Sequence, residues 1–286
     1  VSQPAASMSQ HGIKFMQAVY FFFDRLLGDS HLLCQRFLAA VFMRDKFVQI
    51  NRFLEIVRDA INEDGYLERK NAEPLRIIDF GCGKSYLTFV LYHYLVNILG
   101  IRVSMTGLDL KADVIAKCTD AAKRYGYDSL KFERGDIAEY DANAPADMVV
   151  TLHACDTATD YALHNAVCRG ARMILSVPCC QHELNGQIAS DKLKLITRYG
   201  IIKERFAALM TDAIRANLLE SRGYKTQVLE FVDLSHTPKN LLIRAIKKRP
   251  ALDNAGRIAL DEAKALMEEF SLEPTLYSLL YPHSAD

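Results

Sequence analysis

The stretch that decides the fold is Ile77-Ile78-Asp79-Phe80-Gly81-Cys82-Gly83-Lys84-Ser85. A short apolar run leads into two glycines, and a helical pattern begins at Tyr86. Glycine lets a backbone turn tightly and approach a ligand closely, and the first turn of a helix offers free N–H groups. The stretch therefore predicts a strand, a ligand-binding bend and a helix.

Two phosphate-binding motifs are excluded here by single residues. The dinucleotide fingerprint requires a third glycine where Tyr86 stands, and a P-loop requires a glycine where Ile78 stands. What remains is Asp-x-Gly-x-Gly, from Asp79 to Gly83.

Short β-rich runs alternate with helical periodicity after residue 74, which is typical of βαβ units. The predicted strands are residues 76–80, 103–109, 130–134, 147–152 and 171–177, and the predicted helices are residues 86–100, 111–126, 158–169 and 191–222. Two further runs, 226–234 and 241–246, are joined by a polar loop and predict an antiparallel pair. The fold class is therefore α/β, with a doubly wound, mostly parallel seven-stranded sheet.

The chain divides into three predicted parts. Residues 11–62 have helical spacing without a strand signal, so we predict a helical N-terminal subdomain over residues 1–72 that binds substrate or acts as a lid. The catalytic domain is predicted over residues 73–250 and a helical tail over residues 251–286.

Composition excludes some classes of protein. The chain has 286 residues, 50% of them hydrophobic, so it is not generally disordered. Its 35 basic and 35 acidic residues give a formal net charge of zero, so no net electrostatic attraction draws the whole protein to nucleic acid or membrane. Residues 190–249 carry 13 basic and 6 acidic side chains, a local excess that suits a polyanion. Seven scattered cysteines, no leader pattern and no apolar run long enough for a bilayer predict a cytoplasmic protein with no disulfide-linked partner and no membrane association.

Acidic residues follow three predicted strands. Asp79 ends the first strand, Asp109 precedes Leu110 at the end of the second, and Asp136 precedes Ile137 after the third. Open α/β sheets bind ligands at the carboxyl ends of their strands, and an acid after the second strand can accept hydrogen bonds from a ribose diol. We expect the three acids to line one pocket.

The strand order and the Asp-x-Gly-x-Gly bend resemble class I S-adenosylmethionine-dependent methyltransferases. Two segments make the resemblance more specific, Leu152-His153-Ala154-Cys155-Asp156-Thr157-Ala158-Thr159-Asp160 and Val177-Pro178-Cys179-Cys180-Gln181-His182. They are similar to the group that includes eukaryotic acceptor-stem tRNA 2′-O-methyltransferases and methyltransferase-like relatives. This resemblance spans about residues 70–250.

The resemblance implies S-adenosylmethionine as the cofactor and assigns residues to it. Asp79 would face its ammonium group, and Asp136 its adenine amine, with Ile137 on the ring. The full set of implied cofactor-binding residues is Asp79, Gly81, Cys82, Gly83, Asp109, Leu110, Asp136, Ile137 and His153.

The histidine and cysteine residues after the fourth and fifth strands allow three mechanisms. His153 or Asp156 can orient or deprotonate the acceptor. Cys155 and Cys179 resemble the cysteine pair of RNA cytosine-C5 methyltransferases, in which one thiolate attacks the base. Alternatively, zinc ligands are available in His153, Cys155, Cys179, Cys180 and His182.

A purely structural interpretation is that Cys179 and Cys180 are small buried residues that shape the pocket and take no part in the chemistry. Among these alternatives we predict that His153, Asp156, Cys179 and His182 face the acceptor and that no residue binds a metal. The predicted function is a methyltransferase acting on RNA, with tRNA or rRNA as substrate. The alternatives are a small-molecule or protein methyltransferase and a non-catalytic adaptor that keeps the fold.

Overall fold

The structure is a computed structural model that describes residues 33–69, 73–83, 85–140, 144–152, 154–190, 193–230 and 240–282, with side chains from residue 49 onward. Several parts of the predictions lie outside the described residues: His153, Lys84, residues 1–32 and 70–72 of the N-terminal subdomain, residues 231–234 of the predicted strand 226–234, and the loop residues 235–239 that follow it.

The described residues form a seven-stranded sheet in the order β3-β2-β1-β4-β5-β7-β6. Its strands are β1 Leu75–Phe80, β2 Val103–Asp109, β3 Leu130–Arg134, β4 Met148–Thr151, β5 Met173–Ser176, β6 Tyr224–Glu230 and β7 Leu241–Lys247. The pairs from β3 to β5 are parallel, whereas β7 runs antiparallel to β5 and to β6. The predicted fold class and its antiparallel pair are confirmed.

Helices connect the strands and close the chain. They are α1 Leu33–Asp64, α2 Tyr86–His93, α3 Ala112–Tyr125, α4 Thr157–Cys168, α5 His182–Gln187, α6 Lys194–Thr197, α7 Gly200–Ser221, α8 Asn254–Phe270 and α9 Thr275–Leu280. Helix α2 continues as a π-helical turn, Tyr94–Ile98. Within the described ranges, none of the helices combines the length and the apolar character needed to span a bilayer.

The helical stretch predicted over residues 191–222 consists of two helices, α6 and α7, in the described residues. Between α6 and α7, Tyr199 takes an extended backbone with φ −101° and ψ 111°. An extended residue interrupts the run of i to i−4 hydrogen bonds, so α7 begins anew at Gly200.

The sheet separates two apolar cores, since successive side chains of a strand point to opposite faces. Ile77 packs into the core under α1, α2 and α3, and the next residue, Ile78, packs into the core under α4, α7 and α8. Strands β4 and β5 are buried along their whole length.

Helix α1 packs its C-terminal part onto the sheet. Val57 and Ile61 are buried in the core that contains Ile77. At the end of the helix, the Asp64 carboxylate accepts a hydrogen bond of 2.9 Å from Nε of Arg172, just before β5. The division of the chain at residue 72 stays a prediction.

Candidate active site

The carboxyl ends of β1, β2, β4 and β5 lie at one edge of the sheet. Strands β1 and β4 are neighbours at the centre of the sheet. Strands β2 and β3 follow on the β1 side, and β5, β7 and β6 follow on the β4 side, so the strand order reverses between β1 and β4. This is the position at which an open α/β sheet opens a crevice for a ligand. The segments predicted to bind the cofactor and the acceptor follow these four strands and β3.

The glycine bend after β1 is fixed against the end of β2. Gly81 and Gly83 have positive φ angles of 70° and 53°, which glycine adopts without a steric penalty. The N–H groups of Gly81 and Cys82 both donate to the carbonyl of Leu108, at 2.9 and 3.0 Å. The N–H of Gly83 donates to Oδ2 of Asp109 at 2.9 Å. The bend is therefore held in shape without a ligand.

Asp79 is a buried carboxyl beneath this bend, with 4% of its surface exposed. Oγ1 of Thr88 donates to its Oδ2 at 2.5 Å. Burial, together with the charge of Asp109, raises the pKa of Asp79 to about 7 despite the hydrogen bond from Thr88. In the described part of the chain, Asp79 forms no ion pair with a lysine or an arginine. A cationic ligand group would stabilise its charged form.

The predicted ribose-binding acid, Asp109, joins two loops. Besides the bond from Gly83, its Oδ1 accepts from the N–H of Lys111 at 3.0 Å. A carboxylate has about four lone-pair positions, so both oxygens keep capacity for hydroxyl donors. Leu110 is exposed beside it.

The pair predicted to bind adenine, Asp136 and Ile137, lies at the start of the next loop. The N–H of Gly135 donates to the carbonyl of Asp109 at 3.2 Å, so this loop begins beside the end of β2. Asp136 is exposed, and its Oδ1 accepts from the N–H of Ala138 at 2.9 Å. Ile137 is half-buried against the core that contains Ile78.

Cys82 has a buried side chain on the inner side of the glycine bend. A Cβ added at Gly107 would lie 3.2 Å from its Sγ, so the thiol points toward β2. Burial raises the pKa of the Cys82 thiol. Only its backbone is then suited to contact a ligand in the bend.

Three thiols converge after β4 and β5. Sγ of Cys155 lies 3.0 Å from Sγ of Cys179, and these two atoms and Sγ of Cys180 all lie within 4.8 Å of one another. Cys155 is exposed, and the other two are half-buried. Burial, together with the neighbouring thiols, raises the pKa of Cys179 to about 12. Cys179 is thus a thiol at neutral pH, which weighs against its attack on a base as a thiolate.

Asp156 connects the loop after β4 to the loop after β5 through a hydrogen bond. Its Oδ1 accepts from the N–H of Glu183 at 3.1 Å. Its backbone has φ 52° and ψ −125°, a conformation that costs an L-residue about 1–3 kcal/mol. His182 is exposed at the first position of α5. The structure therefore ties the acid to the segment that carries His182.

A buried charge network holds both acceptor-side loops, and the sequence predictions missed it. Nε and Nη2 of Arg215 donate to the two carboxylate oxygens of Asp160 at 2.8 and 2.7 Å, and Nη1 lies 3.3 Å from Oδ1 of Asp212. Nη2 also donates to the carbonyl of Asp156 at 3.0 Å. Gln181, after Cys180, donates to Asp212 at 3.2 Å. Helix α7 thereby fixes the segments that carry the three thiols.

One sequence signal pointed to this network. Asp212 and Arg215 stand three residues apart, the spacing of neighbours on a helix surface. Asp160 is 55 residues away from Arg215, so only the folded chain brings it into the network.

Comparison with known proteins identifies the family. The Methyltransf_32 family, described as a methyltransferase domain, matches residues 45–187, which is half of the chain. None of the curated proteins compared with the chain matches it.

Solved structures similar to the chain include methyltransferases of diverse kinds. Magnesium protoporphyrin IX methyltransferase (ChlM) from Synechocystis PCC 6803, with bound SAM, is 15% identical over 86% of this chain and 100% of that one, with a TM-score of 0.41. SAH-bound PaMTH1 from Podospora anserina is 14% identical over 84% and 89%, with a TM-score of 0.41. The CMeT domain of the citrinin polyketide synthase is 18% identical over 68% of this chain, with a TM-score of 0.42.

The chain spans about half the length of the citrinin polyketide synthase CMeT chain, 52% of it. With the family match over residues 45–187, the chain belongs to the Methyltransf_32 family of methyltransferase domains.

Proposed function

We propose that this methyltransferase takes its methyl group from S-adenosylmethionine and transfers it to RNA. The observation that carries the donor assignment is the glycine bend, which the N–H of Gly83 closes onto the carboxylate of Asp109 at 2.9 Å. The bend lies where the strand order reverses, the position of ligands in open α/β sheets.

The residues around the bend suit the chemical groups of this donor. Buried Asp79 has no cationic partner among the described residues and would receive the ammonium group. Asp109 would accept from the ribose hydroxyls, because both of its oxygens retain lone pairs. Asp136 would accept from the adenine amine, with Ile137 against the ring. The donor supplies a methyl group activated on a positively charged sulfur.

On the acceptor side, His153, Asp156, Cys179 and His182 stay the predicted residues. Asp156 and Cys179 belong to loops that α7 holds through Arg215 and Asp212. Loops held in one conformation would orient the acceptor in line with the methyl group. Such positioning accounts for much of the rate enhancement of a transfer between two bound molecules.

RNA as the acceptor is supported by an exposed surface formed by residues 194–205. Strand β7 is antiparallel to β5 and β6, so β6 runs parallel to β5, and α7 must begin at the carboxyl edge of the sheet. Lys194, Arg198 and Arg205 are exposed there. The guanidinium of Arg198 lies 4.9 Å from the ring centre of Tyr199, which is 49% exposed.

Basic side chains beside an exposed aromatic ring are what single-stranded nucleic acid binds, through phosphates and base stacking. Two basic residues of the same region, Arg215 and Arg244, are buried and do not contribute to this surface. Residues 194–205 still carry four basic side chains against one acidic side chain, at the carboxyl edge of the sheet. The resemblance to acceptor-stem 2′-O-methyltransferases makes tRNA the first RNA to test, with a ribose hydroxyl as the acceptor.

The test is a tritiated-methyl assay on tRNA, rRNA, protein and metabolite fractions, joined to RNA binding at two salt concentrations. We expect methylated RNA and binding that weakens as salt rises, because each phosphate contact releases a counterion. Arg198→Ala should weaken binding and flatten the salt dependence, whereas the control Arg124→Ala, at the end of α3 and the opposite edge, should not. Methylation of protein or metabolites alone would refute the RNA assignment.

A further inference from the structure

We propose that Cys155, Cys179 and Cys180 form a zinc-binding site beside the methyl-transfer site. The three Sγ atoms lie within 4.8 Å of one another, although they come from two different loops. A pair of thiols suffices for a disulfide, whereas the convergence of three on one point is what a metal ion requires. The proposal rests on this geometry and holds independently of the RNA assignment.

The distances suit a zinc ion. A Zn–S bond of about 2.3 Å in tetrahedral geometry separates two sulfur ligands by about 3.8 Å. The Sγ atoms of Cys155 and Cys179 are 3.0 Å apart, so a small rotation of either side chain brings them to this separation. All distances among the three sulfurs are at most 4.8 Å, which includes the required separation of about 3.8 Å. Thiolates are soft ligands that select zinc over magnesium or calcium.

The loops that carry the thiols are already fixed. Asp156 follows Cys155, and its carbonyl and carboxylate accept from Arg215 and from the N–H of Glu183. Gln181 follows Cys180 and donates to Asp212. These contacts order both segments in the folded chain, so binding a metal need not pay for ordering them.

The unusual backbone of Asp156 fits the same role. Its φ is 52° and its ψ is −125°, and its carbonyl and carboxylate accept hydrogen bonds from Arg215 and from the N–H of Glu183, which hold the backbone next to Cys155 in this conformation.

The described part of the chain supplies three protein ligands to this site. Among the described residues, no histidine, aspartate or glutamate joins the three cysteines in the cluster. Three protein ligands with an open fourth position is the arrangement of catalytic zinc, and the fourth position would take water or a donor atom of the acceptor. On binding, each of the three thiols loses its proton to solvent and forms one Zn–S bond, so no oxidant is needed.

The experiment measures metal in the full chain, purified under reducing conditions. We expect about one equivalent of zinc per chain by atomic absorption. After zinc is removed, titration with cobalt should give thiolate-to-cobalt charge-transfer bands and the intense visible bands of tetrahedral cobalt. Cys155→Ser, Cys179→Ser and Cys180→Ser should each lower metal affinity at least about tenfold. The control Cys168→Ser removes an exposed free cysteine of α4 and should change nothing.

The wild-type cobalt titration stands even where a variant fails to fold. A folded, reduced chain that binds neither zinc nor cobalt would overturn the proposal. So would metal binding that survives all three substitutions, or a Cys155–Cys179 disulfide found by peptide mapping in the protein freshly isolated under reducing conditions.

Discussion

Asp79→Asn tests the electrostatics of the pocket, because it keeps the shape of the side chain and removes its charge. Burial raises the pKa of Asp79 from 3.8 to about 7, so ionising this carboxyl works against the folded state. Because the pKa of this carboxyl is higher in the folded state than in the unfolded state, the folded state is most stable at a pH below the pKa of the unfolded state. That stability is lost as the pH rises through the pKa of the folded state. At about 1.4 kcal/mol per pH unit, the difference amounts to roughly 4 kcal/mol.

Urea unfolding of wild type and D79N measures this effect between about pH 4 and pH 8. The stability of D79N relative to wild type should grow by up to about 4 kcal/mol over this range, with most of the change complete by about pH 7. Asp120→Asn, at an exposed position of α3, is the matched control and should keep the pH dependence of wild type. A difference between D79N and wild type that stays constant with pH would refute the reasoning.

Two further changes test the framework of the site. Arg215→Met leaves the carboxylates of Asp160 and Asp212 buried without their cation and should cost about 3–5 kcal/mol of unfolding free energy, whereas Arg52→Met breaks only an exposed pair with Glu55 and should cost less than about 1 kcal/mol. Equal losses in the two variants would contradict the buried network. Gly223→Ala places a Cβ 2.2 Å from the carbonyl oxygen of Arg249 at a φ of +89° and should lower the free energy of unfolding by about 3 kcal/mol or more. The control Gly186→Ala, whose Cβ would meet nothing within 4 Å, should be neutral or slightly stabilising. Thermal melting of both variants beside wild type measures the difference.

The sheet could be predicted from the sequence because its strands are short β-rich runs bounded by polar residues, although the edge strands β3 and β6 carry charged residues themselves. The motif from Asp79 to Gly83 predicted the bend, and the structure gives the reason for its spacing, since Gly83 reaches Asp109. The break between α6 and α7 could not be predicted. Tyr199 makes no side-chain cap there, so the apolar pattern runs on without a start signal.

The acceptor side was harder to predict because its contacts are long-range. Two cysteine-bearing strand ends suggested proximity, but the convergence of Cys180 with Cys155 depends on the paths of two loops. Arg215 counted as one more charge of a basic region, whereas in the structure it is 2% exposed and neutralised by acids from two helices. Pairings between distant residues carry no local signal in one sequence.

The most direct test of the donor pocket is calorimetry of the full chain with S-adenosylmethionine and its demethylated product. Saturable heat is predicted for both compounds, with binding about tenfold weaker in Asp109→Asn, because the carboxylate that closes the bend is also the predicted acceptor for the ribose hydroxyls. A folded wild-type chain that gives no heat with either compound would contradict the account.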